Sequence, residues 1–321
     1  MTRAKSKLTG RLFDAANDDQ EIEVGAGMAL PKKNQLLWIE SGRASTDLER
    51  VDAALGWADV LSHLTEPGSR PKIALTKEFV RIRVVGMEKH QADPKPVVLD
   101  LVAAPNIVVT VHDDPIEGLD LPLDVQEGET TFGALDAPAF TAMLLDGMLT
   151  GYFQAVENVE REIDELDERA LRSSRPEDML AELVALRRQI AILRRALSPQ
   201  REVFYSLERP GLVLGDSVET SWPLVGDRFR QAMEAVENAR ELLVGSFDIA
   251  MTKAGQRTND IMRVLTVISS VLLPAVVVAG VMGMNFKAGI FDAPENFFVV
   301  IAAMAALAGA ILVFARIRRW I

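Results

Sequence analysis

"VLTVISSVLLPAVVVAGVMGMNF", residues 264–286, is 23 residues long and carries no charge. A second uncharged run of 19 residues, 297–315, follows a ten-residue connection. As helices rising 1.5 Å per residue, each is long enough to cross about 30 Å of hydrocarbon. Two such runs in tandem exceed the core helices of a soluble hairpin. Pro274, inside the first run, is tolerated where neighbouring helices or water satisfy the carbonyl it frees. The flanks set the orientation. Lys253, Arg257 and Arg263 precede the first run, and Arg316, Arg318 and Arg319 follow the second. The connection "KAGIFDAPEN" has one lysine against Asp292 and Glu295. Basic flanks stay in the cytoplasm, so both termini are expected inside and the connection outside. Trp320 suits an interfacial anchor. The expectation is an integral protein of the cytoplasmic (inner or plasma) membrane.

The remaining chain has a different composition. Residues 1–260 hold 44 acids and 30 bases, whereas residues 261–321 hold 2 acids and 5 bases. An acidic, water-facing body joined to an apolar tail attracts cations and argues against a nucleic-acid partner, which needs a basic surface. The chain has no cysteine, which excludes disulfides and thiolate metal centres. "MTRAKSKLTGRLF" at the start lacks the apolar stretch of a signal peptide. His63, His90 and His112 are scattered, and no HExxH, phosphate loop or nucleophile elbow is present. An enzyme is not expected, and His112 in "TVHDD" reads as a structural residue at a strand end.

The body has two parts. Over about 21–135, "LLWIE" (36–40) is a short apolar strand. "STDLERVDAALGW" reads as a helix capped by Ser45 or Thr46. "FVRIRVVGM" (79–87) alternates Val80, Ile82 and Val84 with Arg81 and Arg83, as a half-buried strand does. "VVLDLVAAPNIVVTVHDD" reads as two strands joined at Pro105-Asn106. Beyond Pro138 the period becomes helical. Met148, Tyr152, Val156, Val159, Ile163 and Leu166 recur at steps of three and four, and so do Leu180, Leu183, Leu186, Ile190, Leu193 and Leu197. That is the pattern of an antiparallel coiled-coil-like hairpin with a solvated charged face. "ERPGLVLGDSVETSWP" (208–223) reads as a connection. From about Leu224 the helical pattern runs on into the first span. A helix of some 60 residues is about 90 Å long, the reach of a stalk rather than of a soluble domain.

Along that helix Asp248, Thr252, Gly255, Asn259, Met262, Thr266, Ser269, Leu273, Val277 and Gly280 follow at steps of three and four, so they share one face. A lipid-facing stripe would not hold Asn, Thr and Ser in register. Either small and hydroxyl residues pack helix on helix, or several copies surround a wet path with polar stations and apolar constrictions.

At this point the residues resemble a family. "TNDIMRVLTVISSVLLPAVVVAGVMGMNF" (258–286) looks like the first transmembrane helix of the CorA family of divalent-cation channels, with its Gly-Met-Asn signature at Gly283, Met284 and Asn285. The layout matches over the whole chain. The fold class is therefore expected to be α+β and CorA-like. It comprises an α/β cytoplasmic domain (1–137), a helical hairpin (138–222), and a stalk helix (223–286) whose span covers about 264–286. An external loop (287–296), a second span (297–315) and a basic tail (316–321) complete it. The resemblance implies a homopentamer embedded in lipid, whose stalk helices line a pore for hydrated divalent cations. It implies magnesium as substrate, with cobalt and nickel often passing, and as the intracellular regulator that closes the pore. No organic cofactor is implied. Asn285, Gly283 and Met284 would recognise the incoming ion, with Asn259, Asp248 and Thr266 as pore stations. Met262, Leu265, Leu273 and Gly280 would form the gate, and Asp292 and Glu295 would steer cations to the mouth.

The chemistry agrees. Magnesium dehydrates reluctantly, so a first contact with its hydration shell suits it. A ring of Asn285 carbonyls accepts hydrogen bonds from that shell without binding as tightly as carboxylates. Two departures bear on selectivity: the external loop differs from the shorter Met-Pro-Glu loop common in the family, and Leu273 stands where methionine is frequent. A zinc transporter of the same fold, with or without proton coupling, is the alternative reading, and a non-conducting membrane-anchored scaffold or sensor is a second. Asp227, Glu234, Glu237 and Glu241 lie on the stalk without an assigned role.

Overall fold

A computed structural model describes residues 8–15, 19–66, 68, 70–76, 78–89, 93–119, 136–172, 176–208, 218–283 and 294–318. The alternating stretch at 79–87 is β5 (Val80–Met87), with Val80, Ile82 and Val84 buried and Arg81 and Arg83 half-buried. It belongs to a seven-stranded sheet with β1 (Thr9–Asp14), β2 (Gln20–Ile22), β3 (Gln35–Ser41), β4 (Lys72–Leu75), β6 (Pro96–Ala104) and β7 (Ile107–Val111), in the order β2-β1-β3-β7-β6-β5-β4. β3 and β7 pair parallel, with Leu37 opposite Ile107, and every other pair is antiparallel. The two expected strands at 97–114 form a hairpin whose Asn106 has φ 58°. The Pro-Asn pair supplies the fixed φ and the left-handed second residue that a type II turn needs.

The central strands are buried on both faces, which explains their unbroken apolar runs. On one face Leu37, Ile39, Val109 and Val111 pack with Leu48, Val51 and Leu55 of α1 (Ser45–Leu55). On the other, Phe140 of α2 (Ala137–Arg172) lies 5.7 Å from the Phe13 ring and 5.8 Å from Trp38. Gly147 brings α2 against the loop after β7: a Cβ there would meet Gly118 O at 2.2 Å. The expected cap of α1 is corrected. Ala44 occupies that position without a side-chain hydrogen bond, and Ser45 is already helical. The acidic Asp47 in the first turn complements the helix dipole instead.

One buried side chain completes the sheet. Beyond the end of β4, Gln200 offers β5 an amide in place of a strand: its Oε1 accepts from Val85 N at 3.1 Å and its Nε2 donates to Val85 O at 2.9 Å. Tyr152 Oη donates to the same carbonyl at 2.7 Å, and burial pushes this phenol up from its ordinary value. Gln200→Ala leaves the partly buried Val85 N–H without this acceptor. Thermal unfolding of the detergent-solubilised chain is expected to show a loss of about 1–3 kcal/mol.

The helical segments keep their seams inside. In α2 the buried positions include Met148, Tyr152, Val156, Val159, Ile163 and Leu166, and in α3 (Pro176–Leu197) they include Leu183, Leu186, Ile190, Leu193 and Leu197. A short 3-10 turn at 198–200 leads to α4 (Arg201–Leu207). The longest element is α5 (Val218–Met282), 65 residues and about 100 Å of continuous helix. It begins inside the segment expected to be a connection, because burial of Trp222 and Val225 extends the helix back past Pro223. α6 (Pro294–Ile317) follows.

Two compact units result, residues 1–166 with 181–245, and residues 167–180 with 246–321. In the first, Arg228 of α5 pairs with Asp146 of α2 at 3.1 Å and lies over the Phe153 ring, and Phe229 stacks on Phe204 of α4 at 4.3 Å. In the second, Ser246 Oγ of α5 donates to Asp167 Oδ2 at 2.9 Å. This unit also holds the two apolar helical spans, of mean hydropathy 2.5 and 2.7, and only 6% of each span's most apolar window is buried.

Candidate functional site

Three sectors run along the apolar part of α5. The first is covered: Val267 is buried, and Val271, Pro274, Ala275 and Val278 are half-buried. α6 has a matching covered series in Val300, Met304, Ala308, Ile311 and Ala315. The second sector, with Ile261, Ile268, Leu272 and Ala279, is apolar throughout and exposed. The third is the stripe. Asp248, Thr252, Gly255, Asn259, Met262, Thr266, Ser269, Leu273, Val277 and Gly280 lie along it, and from Asn259 onward every member is exposed, with Leu273 at 66%. At about 100° per residue the stripe lies about 130° around the helix from the covered sector.

The structure therefore brings Asp248, Asn259, Thr266, Met262, Leu273 and Gly280 onto one bare face. Leu265 falls on the border of the apolar sector, about 80° from the centre of the stripe. Gly283 continues the helix, its N–H donating to Ala279 O at 2.9 Å. Glu295 lies in the first turn of α6. Met284, Asn285 and Asp292 lie outside the described residues.

The polar members have definite chemistry. Thr266 Oγ1 donates to Met262 O at 2.7 Å, so its proton is committed to the backbone and its remaining lone pairs accept hydrogen bonds. Gly255 and Gly280 cost the helix about 1 kcal/mol each relative to alanine. Nothing among the described residues accounts for them, since a Cβ at either would meet no described atom within 4 Å. Among the described residues no three acids or histidines converge to hold a metal ion. Glu157, Glu160 and Asp164 form an acidic row on α2, where burial, then Asp164 and Glu157, push the Glu160 carboxyl up.

One feature escaped sequence reasoning. A cavity of about 480 Å³ opens between α5 and α6, and Thr266 and Ser270 contribute to its lining. No linear motif marks it, because two helices must meet to form it.

Comparison with known proteins matches residues 33–319 to the family described as CorA-like Mg2+ transporter protein. The chain is 32% identical over 186 residues to the cobalt/magnesium transport protein CorA of Thermotoga maritima, which is 56% of this chain and 51% of that one. It is 28% identical over 248 residues to the divalent cation transporter CmaX of Pseudomonas aeruginosa, 74% of this chain and 72% of that one. The chain spans about half the length of the first of these relatives. Among solved structures, the complete CorA magnesium transporter from Methanocaldococcus jannaschii superposes with a TM-score of 0.80 at 18% identity, covering 97% of this chain and 98% of that one.

Proposed function

The chain belongs to the CorA-like Mg2+ transporter family, and from that premise we propose that it conducts hydrated divalent cations, magnesium first, through a pore lined by copies of α5. The observation that carries this reading is the bare stripe, in which Asn259, Thr266 and Ser269 stand in register on a face that α6 leaves open. In hydrocarbon a buried polar side chain without a partner is costly. Around a shared wet axis the same groups are solvated. One helix encloses nothing, so the pore is an assembly, and a homopentamer is its stoichiometry. The glycines at 255 and 280 permit close approach of a neighbouring copy or an ion. Both spans lie in the cytoplasmic membrane with their basic flanks inside.

A hydrated ion meets the Asn285 carbonyls first and keeps its water. Met262, Leu273 and Val277 form apolar rings that close the path by dewetting, while Thr266 and Asn259 accept hydrogen bonds from the hydration shell between them. Magnesium fits this donor set better than zinc. Zinc prefers nitrogen and sulfur ligands, and α5 and α6 contain neither cysteine nor histidine. Intracellular magnesium bound between cytoplasmic bodies holds the pore shut, and the acidic row on α2 offers hard oxygen donors suited to it.

The test is divalent entry into liposomes that hold the full-length protein and a trapped indicator. Magnesium, cobalt, nickel and zinc are compared with and without a pH gradient. Saturating magnesium entry that ignores the gradient is expected, with a severalfold loss in Asn285→Ala. No entry of any ion, or an Asn285→Ala variant equal to wild type, overturns the proposal. Asp292→Asn combined with Glu295→Gln should slow entry about two- to threefold at low ionic strength and leave it unchanged at high salt.

A further inference from the structure

The cavity between α5 and α6 has apolar walls and a basic mouth. Its lining includes Thr266, Val267 and Ser270 on α5 and Ile311, Phe314 and Ala315 on α6. One helical turn toward the charged ends, each helix carries an arginine on the same face. Arg263 precedes Val267 by four residues, and Arg318 follows Phe314 by four. The placement of Arg318 is direct: its guanidinium lies over the Phe314 ring, 5.7 Å from the centroid, so the charge rests on a wall of the cavity. Among the described residues Arg263 pairs with one acid, Asp260 at 3.5 Å, and both are largely exposed, so the pair is weak and a stronger anion displaces it. The helices run in opposite directions, which brings both arginines to the same end.

We infer that this cavity is a binding site for an anionic phospholipid of the inner leaflet, one acyl chain lying between α5 and α6 and the phosphate held by Arg263 and Arg318. The inference rests on the membrane embedding proposed above. Charge complementarity selects the occupant. A zwitterionic lipid brings its own cation to the two arginines, whereas phosphatidylglycerol brings only an anion. The apolar walls require a chain, which a free phosphate does not have. Because Thr266 belongs both to this cavity and to the stripe, lipid here rests against the wall of the ion path.

Native mass spectrometry of the detergent-purified full-length protein tests this with phosphatidylglycerol and phosphatidylcholine of identical acyl chains. Phosphatidylglycerol is expected to be retained about tenfold more tightly. Arg263→Gln with Arg318→Gln should remove that preference while the assembly stays intact. Ala310 on α6 also lines the cavity; Ala310→Leu, which fills it, should weaken retention of both lipids, and free glycerol 3-phosphate should displace neither. Four results overturn the inference: equal retention of the two lipids, a preference that survives loss of both arginines, displacement by glycerol 3-phosphate, or an Ala310→Leu variant that binds as wild type. Flotation of the same preparation with vesicles checks the embedding separately. Protein that floats and conducts without lipid preference sinks this inference and leaves the transport reading standing.

Discussion

Replacing Asp100 with alanine lowers the unfolding free energy by about 3–5 kcal/mol, the cost of leaving buried cations without their anion. Asp100 stands on β6 directly opposite Arg83 on β5, and its side chain is fully buried. Arg83 Nε donates to Oδ1 at 2.7 Å and Nη2 to Oδ2 at 3.1 Å, the parallel fork that makes this pair strong. Arg43, whose side chain is 4% exposed, donates to Oδ2 at 2.7 Å. Its other donors reach the carbonyls of Leu64, Val98 and Val111, so the guanidinium ties β6, β7 and the short helical turn at 62–64 together. Alanine takes from Arg83 the carboxylate it forks onto and leaves Arg43 only the longer pair with Asp113, 3.6 Å from its Nε to Oδ2. Arg81 adds to the demand for an anion: burial pushes its guanidinium below the usual value, and Asp100 offsets this while Arg83 and Arg43 deepen it. Asp100→Asn keeps the acceptor and loses the charge, so it should fall between wild type and alanine. Urea unfolding followed by tryptophan fluorescence reads the result, since Trp38 lies in the sheet. A loss below about 1 kcal/mol would mean that water reaches the cluster, as it does at exposed ion pairs.

How much of this was legible in the sequence follows from what each feature depends on. β5 was plain because alternation is local, and so were the seams of α2 and α3, which depend only on steps of three and four. β1 was not. "TGRLFD" has two large apolar residues, and it becomes a strand because Leu12 pairs with Leu37 and Phe13 with Leu36 on β3. The Asp100 cluster was hidden for the same reason: an acid within "VVLDLVAA" declares its role only when Arg43, 57 positions away, arrives beside it. The stripe on α5 was readable since a helix fixes its own angular positions. Which sector α6 covers was not readable, so spacing alone could not say which face of the helix stays bare.

The three sectors of α5 make the sharpest experimental contrast, and the chain is suited to measuring it because it contains no cysteine. Single cysteines at Asn259, Met262, Ser269 and Leu273 should react with a charged, water-soluble thiosulfonate on the order of 100-fold faster than cysteines at Ile268, Leu272 and Ala279. The thiolate is the nucleophile, and it forms only where water stabilises it; in hydrocarbon the thiol keeps its proton and the reagent is excluded. Cysteines at Val267 and Val271 should also be silent, covered by α6 rather than by lipid. Two rival arrangements give different patterns. If the stripe packs helix on helix without water, its cysteines fall as silent as Val267→Cys. If it faces lipid, reactivity moves to Ile268→Cys and Leu272→Cys. Magnesium in the bath adds a second axis: on the proposed pore, an ion at Asn259 should slow modification there and have no effect at Ile268→Cys. Leu265→Cys then tests whether a residue at the border of the stripe still faces the path. Reaction at the rate of Met262→Cys assigns it to the constriction, and silence assigns it to the apolar flank.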